Sequence, residues 1–243
     1  MKAMILAAGL GTRLRPLTND RPKPLVEVGG RTLLEITLSR LRTFGVQDAI
    51  INVHHFADMV VDYLRAHDNF GMRIEVSREE VLLDTGGGLK KAAYFFLEGP
   101  VRADEPFILH NVDVISTIDL GRMMRFHEEN QALATLAVQD RETSRYLLFD
   151  EAGRLCGRGT GESAVSARAL RALAFSGVHV ISPRLLGMMT EEGAFSIIDS
   201  YLRLAASGEK IIGFRADEYY WRDLGRPENV ARAERDLTDK LFS

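Results

Sequence analysis

The sequence predicts a three-layer α/β/α fold with a mixed, mostly parallel sheet, and three observations point to it. Short apolar runs alternate with amphipathic stretches through the first half of the chain. The chain opens on an apolar run that stops abruptly at a glycine-rich loop. Its 243 residues, 46% of them hydrophobic, are enough to bury a sizeable core.

The opening run, 2–8, suits a strand covered on both faces. Further strands are predicted over 48–53, 73–77, 106–110 and 133–138, with helices between them over 33–44, 56–66, 88–97 and 120–129. The first helix shows its logic. Thr32 and Glu35 have the spacing of a capping box, Leu34, Leu38 and Leu41 share one face, and Gly45 stands where a helix-ending glycine belongs. Alternating elements of this kind imply right-handed crossovers and helices on both faces of the sheet. After about residue 140 the rhythm changes. Strands are predicted over 145–149, 172–181 and 211–215, a polar, glycine-rich loop over 157–166, and helices over 196–206 and 227–240. The second half reads as a smaller lobe packed on the first sheet, and no internal repeat is evident.

Composition narrows the function. A net charge of -3 lacks the basic excess of a nucleic-acid-binding surface. No apolar run approaches the roughly 18 residues of a membrane span, and the glycines and arginines that interrupt the N-terminal run argue against a signal peptide. Cys156 is the single cysteine, so no intramolecular disulfide forms, and a reducing, cytoplasmic setting is expected. The sequence pattern sets no oligomeric state.

The chemistry concentrates at the start. Gly9-Leu10-Gly11-Thr12 lets backbone N–H groups approach a ligand that a Cβ would exclude. Arg13, Arg15, Arg21, Lys23 and Arg31 follow, against only Asp20 and Glu27. Bare amides followed by cations suit a polyphosphate. A dinucleotide fingerprint would want Gly or Ala where Leu14 stands, and an acidic residue where His54 and His55 close the second strand. A P-loop needs Gly-Lys, which the chain lacks altogether. Pro22 and Pro24 flank Lys23, each fixing φ and favouring extended neighbours, so the ammonium is expected on a stiff stalk. Asp113 follows the strand predicted over 106–110, near the ligand edge of an open parallel sheet. The six histidines form no metal-binding motif.

The run LAAGLGTRLRPLT followed by RPKPLVEV closely resembles the opening of the sugar-1-phosphate nucleotidyltransferases, the nucleoside-diphosphate-sugar pyrophosphorylases. The resemblance continues through TGGGLKKA, NVDV, FSGVHVISP and WRDLGRPENVARAE, so it covers nearly the whole chain in order. It implies a Rossmann-like nucleotide-diphospho-sugar transferase domain over 1–243. The nucleotide-binding half is about 1–140 and the sugar-binding, closing half about 141–243. By the same resemblance Leu6, Ala7, Ala8, Gly9, Gly11 and Thr12, with Gly87 and Asn111, hold the nucleotide. Arg13 meets the leaving pyrophosphate, Lys23 the reacting phosphates, and Asp113 and Asp223 together hold Mg²⁺. Tyr146, Glu162 and Gly177 fall on the sugar side. The glycines Gly86 to Gly88, ahead of a helix, are expected to approach the base closely. The implied partners are a nucleoside triphosphate and a sugar-1-phosphate.

The compact N-acetylmuramate-1-phosphate uridylyltransferases look most similar, with mannose- and heptose-1-phosphate guanylyltransferases close behind. Departures at Val112, Leu147 and Ser163 lie near the sugar or ribose and leave the acceptor open; Arg226 replaces a threonine. A phosphocholine-type cytidylyltransferase and a non-catalytic nucleotide-sugar-binding regulator are the alternatives. The expected reaction is one in-line displacement. A phosphate monoester is already ionised at neutral pH, with a second pKa near 6. It therefore needs positioning and charge neutralisation rather than a dedicated general base.

Overall fold

The computed structural model describes residues 1–97, 105–159 and 170–240, with side chains to 236 in the last segment. Glu162, and the predicted loop beyond residue 159, lie outside the described residues.

The strands are β1 (Lys2–Leu6), β2 (Glu27–Val28), β3 (Arg31–Thr32), β4 (Asp48–Val53), β5 (Arg73–Arg78), β6 (Phe107–Asn111), β7 (Val114–Ser116), β8 (Ala134–Gln139), β9 (Tyr146–Phe149), β10 (Leu155–Gly159), β11 (Arg171–Ile181), β12 (Ile211–Arg215) and β13 (Trp221–Asp223). The α-helices are α1 (Leu33–Thr43), α2 (Ala57–Ala66), α3 (Asp84–Lys91), α4 (Ala93–Leu97), α5 (Leu120–Glu129), α6 (Ile197–Ala206) and α7 (Pro227–Lys240).

A nine-stranded sheet organises the chain. Strands β5, β4, β1 and β6 lie side by side and parallel. The long strand β11 runs antiparallel to β6 on one side and to β8 on the other, and β12 pairs parallel with β8. Its first half also pairs with β9, which carries β10 at the edge. The mixed, mostly parallel sheet is therefore as predicted, with one antiparallel strand at its centre. That strand switches partners where its pairing with β8 shifts register between Phe175 and His179, around Gly177 at φ 73°. A left-handed glycine inside a strand marks such a bulge.

Alternate residues of the buried strands feed two cores, which is the three-layer arrangement. Ala3, Ile5, Ala49 and Ile51 pack with Leu34, Val60, Met123 and Val230 from α1, α2, α5 and α7. On the other face Met4, Ile50 and Leu109 pack with Leu89, Phe95 and Tyr201 from α3, α4 and α6. Each fully buried Leu or Ile contributes about 1.5–3 kcal/mol relative to exposure.

Local signals act largely as expected. Thr32 caps α1 by accepting from Glu35 N at 3.1 Å. The box is one-sided, because Glu35 turns to the Arg31 guanidinium, 2.7 Å away. Gly45, at φ 83°, ends the helix, with Val46 N donating to Leu41 O at 3.2 Å. Three features differ from expectation. Helix α3 begins at Asp84, so Gly86 to Gly88 lie within the helix rather than ahead of it. Residues 157–159 complete β10 instead of opening a loop. Finally, Lys23 starts a single 3-10 turn, Lys23–Leu25, rather than an extended stalk; a proline fits there because a first-turn N–H needs no partner.

Candidate active site

Three parallel strands end together. Leu6 of β1 is in register with Asn52 of β4 and Asn111 of β6. Beyond this row opens a cleft of about 530 Å³, lined by Leu6, Ala8, Gly9, Asn52, Asn111 and Val112, by Lys23 and Asp113, and by Leu82, Asp84, Thr85 and Ala194. Such a crevice beyond the strand carboxyl ends is where open α/β sheets bind ligands.

The glycine loop forms the floor. Ala7 N donates to Asn52 Oδ1 at 2.7 Å and fixes the loop's departure from β1. A Cβ on Gly9 would meet no protein atom within 4 Å, so that side is left clear for a ligand. Gly11, by contrast, is needed for the fold: its φ is 64° and an added Cβ would lie 2.9 Å from Thr18 Cγ2. Thr18 Oγ1 in turn donates to Gly11 O at 2.8 Å. The turn Thr12–Leu14 then buries Leu14 and leaves Thr12 and Arg13 at the surface. Arg13 Nη2 lies 3.0 Å from the position a Cβ on Gly225 would occupy.

Two aspartates distant in sequence meet through a short ribbon. Strands β7 and β13 pair antiparallel with Asp223 opposite Val114, the neighbour of Asp113. Leu224 N donates to Asp113 O at 2.7 Å and closes the ribbon. Asp113 Oδ2 forms an ion pair with Lys23 Nζ. Asp223 Oδ1 accepts from Gly225 N at 2.8 Å. Behind Asp113, burial and the Arg40 charge hold the imidazole of His110 down at about 4, so it is neutral at physiological pH. Burial likewise lowers Arg40 to about 10, against the opposing pull of Asp119.

The remaining sequence-predicted residues divide. Gly87 sits in α3 against the chain at Gly193, whose carbonyl oxygen would be 2.3 Å from an added Cβ. The glycines of TGGGLKKA thus let the 193–197 segment and Asn52 pack against the helix. Gly177 packs on Asn111, whose Nδ2 would be 2.9 Å from an added Cβ, and so joins the β11 bulge to the row of strand ends. Tyr146 begins β9 in register with Ala174, on the same side of the bulge. The sequence reading missed a buried relay. Asn52 Nδ2 donates to Glu79 Oε1 at 2.8 Å, and Leu83 N donates to Glu79 Oε2 at 3.0 Å. It ties the loop ahead of α3 to the glycine loop. A lone asparagine within the apolar run AIINV was the available signal.

Among the described residues no helix is long and apolar enough to cross a membrane. The family model described as nucleotidyl transferase matches residues 2–154. The chain is 37% identical over 249 aligned positions to the N-acetylmuramate alpha-1-phosphate uridylyltransferase of Caulobacter vibrioides, spanning 98% of this chain and 97% of that one. It is 30% identical to the mannose-1-phosphate guanyltransferase of Yarrowia lipolytica, over 94% of this chain but 62% of that protein's length. In fold it resembles HddC from Yersinia pseudotuberculosis complexed with GMP-PN, with a TM-score of 0.76, 23% identity and coverage of 97% and 99%. It likewise resembles a UDP-glucose pyrophosphorylase complexed with UDP-glucose, with a TM-score of 0.80, 18% identity and 99% coverage of each chain. A strand-edge cleft floored by a glycine loop, with Lys23 and Asp113 among its lining residues, is thus set in a chain that belongs to the nucleotidyl transferase family, among its sugar-1-phosphate nucleotidyltransferases.

Proposed function

We propose that the chain transfers a nucleoside monophosphate from a nucleoside triphosphate to a sugar-1-phosphate, releasing pyrophosphate. Uridylyl transfer is favoured, because the Caulobacter relative matches over nearly its whole length. The names of the curated relatives favour uridylyl or guanylyl transfer over the cytidylyl and non-catalytic alternatives. The observation that carries the reading is the meeting of Lys23 with Asp113, and of Asp113 with the Asp223 strand, at the mouth of the glycine-loop cleft.

The residues divide the work. Leu6 to Gly11, Thr12, Asn111 and the α3 region around Gly87 hold base, ribose and phosphates, with Gly9 leaving room for close approach. Lys23 neutralises the reacting phosphates and Arg13 the leaving pyrophosphate. Tyr146, Gly177 and Glu162 meet the sugar. Asp113 and Asp223, brought to one end of the β7–β13 ribbon, suit Mg²⁺, an ion that prefers few carboxylates plus phosphates and water. When bound, the ion supplies charge neutralisation at the phosphates. The acceptor oxygen is already ionised, so the remaining barrier is repulsion between anions, which fixed cations and orientation lower.

The test is pyrophosphate release across four nucleoside triphosphates and a panel of hexose, amino-sugar and heptose 1-phosphates and phosphocholine. UTP or GTP with a sugar-1-phosphate is expected to turn over. Release with phosphocholine alone, or with no pair, contradicts the reading.

A further inference from the structure

Between β8 and β9 one guanidinium is held without an ion-pair partner among the described residues. Arg141 Cζ lies 3.6 Å from the ring centroid of Trp221, and Nη2 donates to Phe175 O at 2.7 Å. Its Nε is buried and has no hydrogen-bond partner among the described residues. No described carboxylate lies within ion-pair distance of it either. Trp221 is itself pinned, since its Nε1 donates to Ser176 O at 2.7 Å. Gln139 Nε2 holds the segment leading to that strand through Ala216 O at 2.8 Å and Tyr219 O at 3.0 Å.

The placement is informative. Residues two apart on a strand share a face, so Trp221 and Asp223 present their side chains on the same face of β13. A guanidinium stacked on that tryptophan therefore stands beside the Asp223 carboxylate and on the side of the Gly177 bulge. Burial lowers the Arg141 pKa, while Asp223 and Tyr146 pull it back up. An arginine nevertheless stays charged at neutral pH. Partly burying a guanidinium whose N–H groups are not all paired is costly, and such a group matches an oxyanion.

We propose that Arg141 binds the phosphate of the sugar-1-phosphate acceptor, with Trp221 as the platform that orients its guanidinium plane. Lys23 pairs with Asp113, and Arg13 lies beside Gly225 next to Asp223, so Arg141 adds a further cation from the Trp221 side. The identity of the anion rests on the proposed nucleotidyl transfer. A carboxylate substituent on the sugar has the same oxyanion chemistry, and the test separates the two.

The chain contains one tryptophan, so its emission reports on the Arg141–Trp221 stack directly. The wild type, Arg141→Gln and Arg141→Lys are titrated with mannose 1-phosphate, N-acetylmuramate 1-phosphate and unphosphorylated N-acetylmuramate. KM is measured in parallel for UTP or GTP and for each sugar phosphate. Arg141→Gln is expected to raise the sugar-phosphate Kd and KM by about 10- to 100-fold, with the nucleotide KM within about twofold. Arg141→Lys, which keeps charge but loses the fork, falls between them and decides the matter if the glutamine variant does not fold. Equal losses for nucleotide and sugar phosphate, or no loss, overturn the proposal. So does a response that follows the carboxylate of unphosphorylated N-acetylmuramate. Turnover without an Arg141 effect removes the proposal and leaves the reaction standing. Arg141-dependent binding without turnover removes the reaction and leaves the proposal.

Discussion

Lys23 and Asp113, 90 residues apart in the chain, share an ion pair in which the two side chains are only 14% and 12% exposed. A partly buried pair of this kind adds little net stability, because desolvation offsets much of the Coulomb attraction. In the proposed reaction, incoming phosphates would offer Lys23 a second anion at the point where charge must be neutralised.

Lys23→Ala is accordingly expected to lower kcat by at least about 100-fold while weakening triphosphate binding by less than about tenfold. Steady-state kinetics alongside equilibrium nucleotide titration check the split. Loss confined to nucleotide affinity would move Lys23 away from the reacting phosphates.

The glycines separate ligand space from packing space. Gly9→Ala adds a methyl that meets no protein atom, so its thermal stability should stay within about 0.5 kcal/mol of wild type. Its nucleotide KM should nevertheless rise. Gly87→Ala drives a Cβ to 2.3 Å from Gly193 O, a backbone atom that cannot swing aside, and should cost about 1–3 kcal/mol of stability. Urea unfolding of the two variants tests the contrast, and equal destabilisation would refute it.

Glu79 receives a donor on each oxygen, from Asn52 and from Leu83 N. Glu79→Gln keeps the shape but leaves one donor facing an NH2 group. The expected cost is about 1–3 kcal/mol, with a raised nucleotide KM because Asn52 also holds Ala7 N. A variant with unchanged melting temperature and KM would show that the relay does not position the cleft.

Buried histidines set an acid limit on stability. Burial, then the Arg184 charge, holds His127 near 4; burial, then His110, holds His179 near 3. In the unfolded chain both titrate near the ordinary value of about 6.5. Between these values the unfolded state binds more protons, so the stability gained from the neutral rings is complete above 6.5 and is lost as pH falls toward 4. Urea unfolding should show stability falling from pH 7 to pH 5. His127→Gln should be less stable at pH 7 but with a shallower slope, the difference approaching about 1.4 kcal/mol per pH unit toward pH 5. Parallel slopes would contradict the assignment.

The strands and helices were largely legible because their signals are local: apolar runs, the Thr32 cap and the Gly45 stop all act within a few residues. The short pieces were not. Strands β7 and β13 are three residues each and exist through their mutual pairing and the Leu224–Asp113 closure, which no local pattern encodes. The site followed the same division. Gly9, Lys23, Asp113 and Asp223 stand in motifs that can be read along the chain, but Glu79 and Arg141 matter through contacts with Asn52 and Trp221, far away in sequence. Gly86 to Gly88 show the limit most plainly: a glycine triplet reads as a turn, and only the approach of Phe195 and Gly193 shows that it is a packed helix.

The central claim is that Asp113 and Asp223 act as one site for nucleotidyl transfer. Pyrophosphate release from UTP or GTP and a sugar-1-phosphate, measured across a Mg²⁺ titration for wild type, Asp113→Asn and Asp223→Asn, tests it most directly. Both variants are expected to keep the wild-type fold by circular dichroism and to lose at least about 100-fold in turnover at every Mg²⁺ concentration. Near wild-type turnover by either variant at limiting Mg²⁺ would contradict the account.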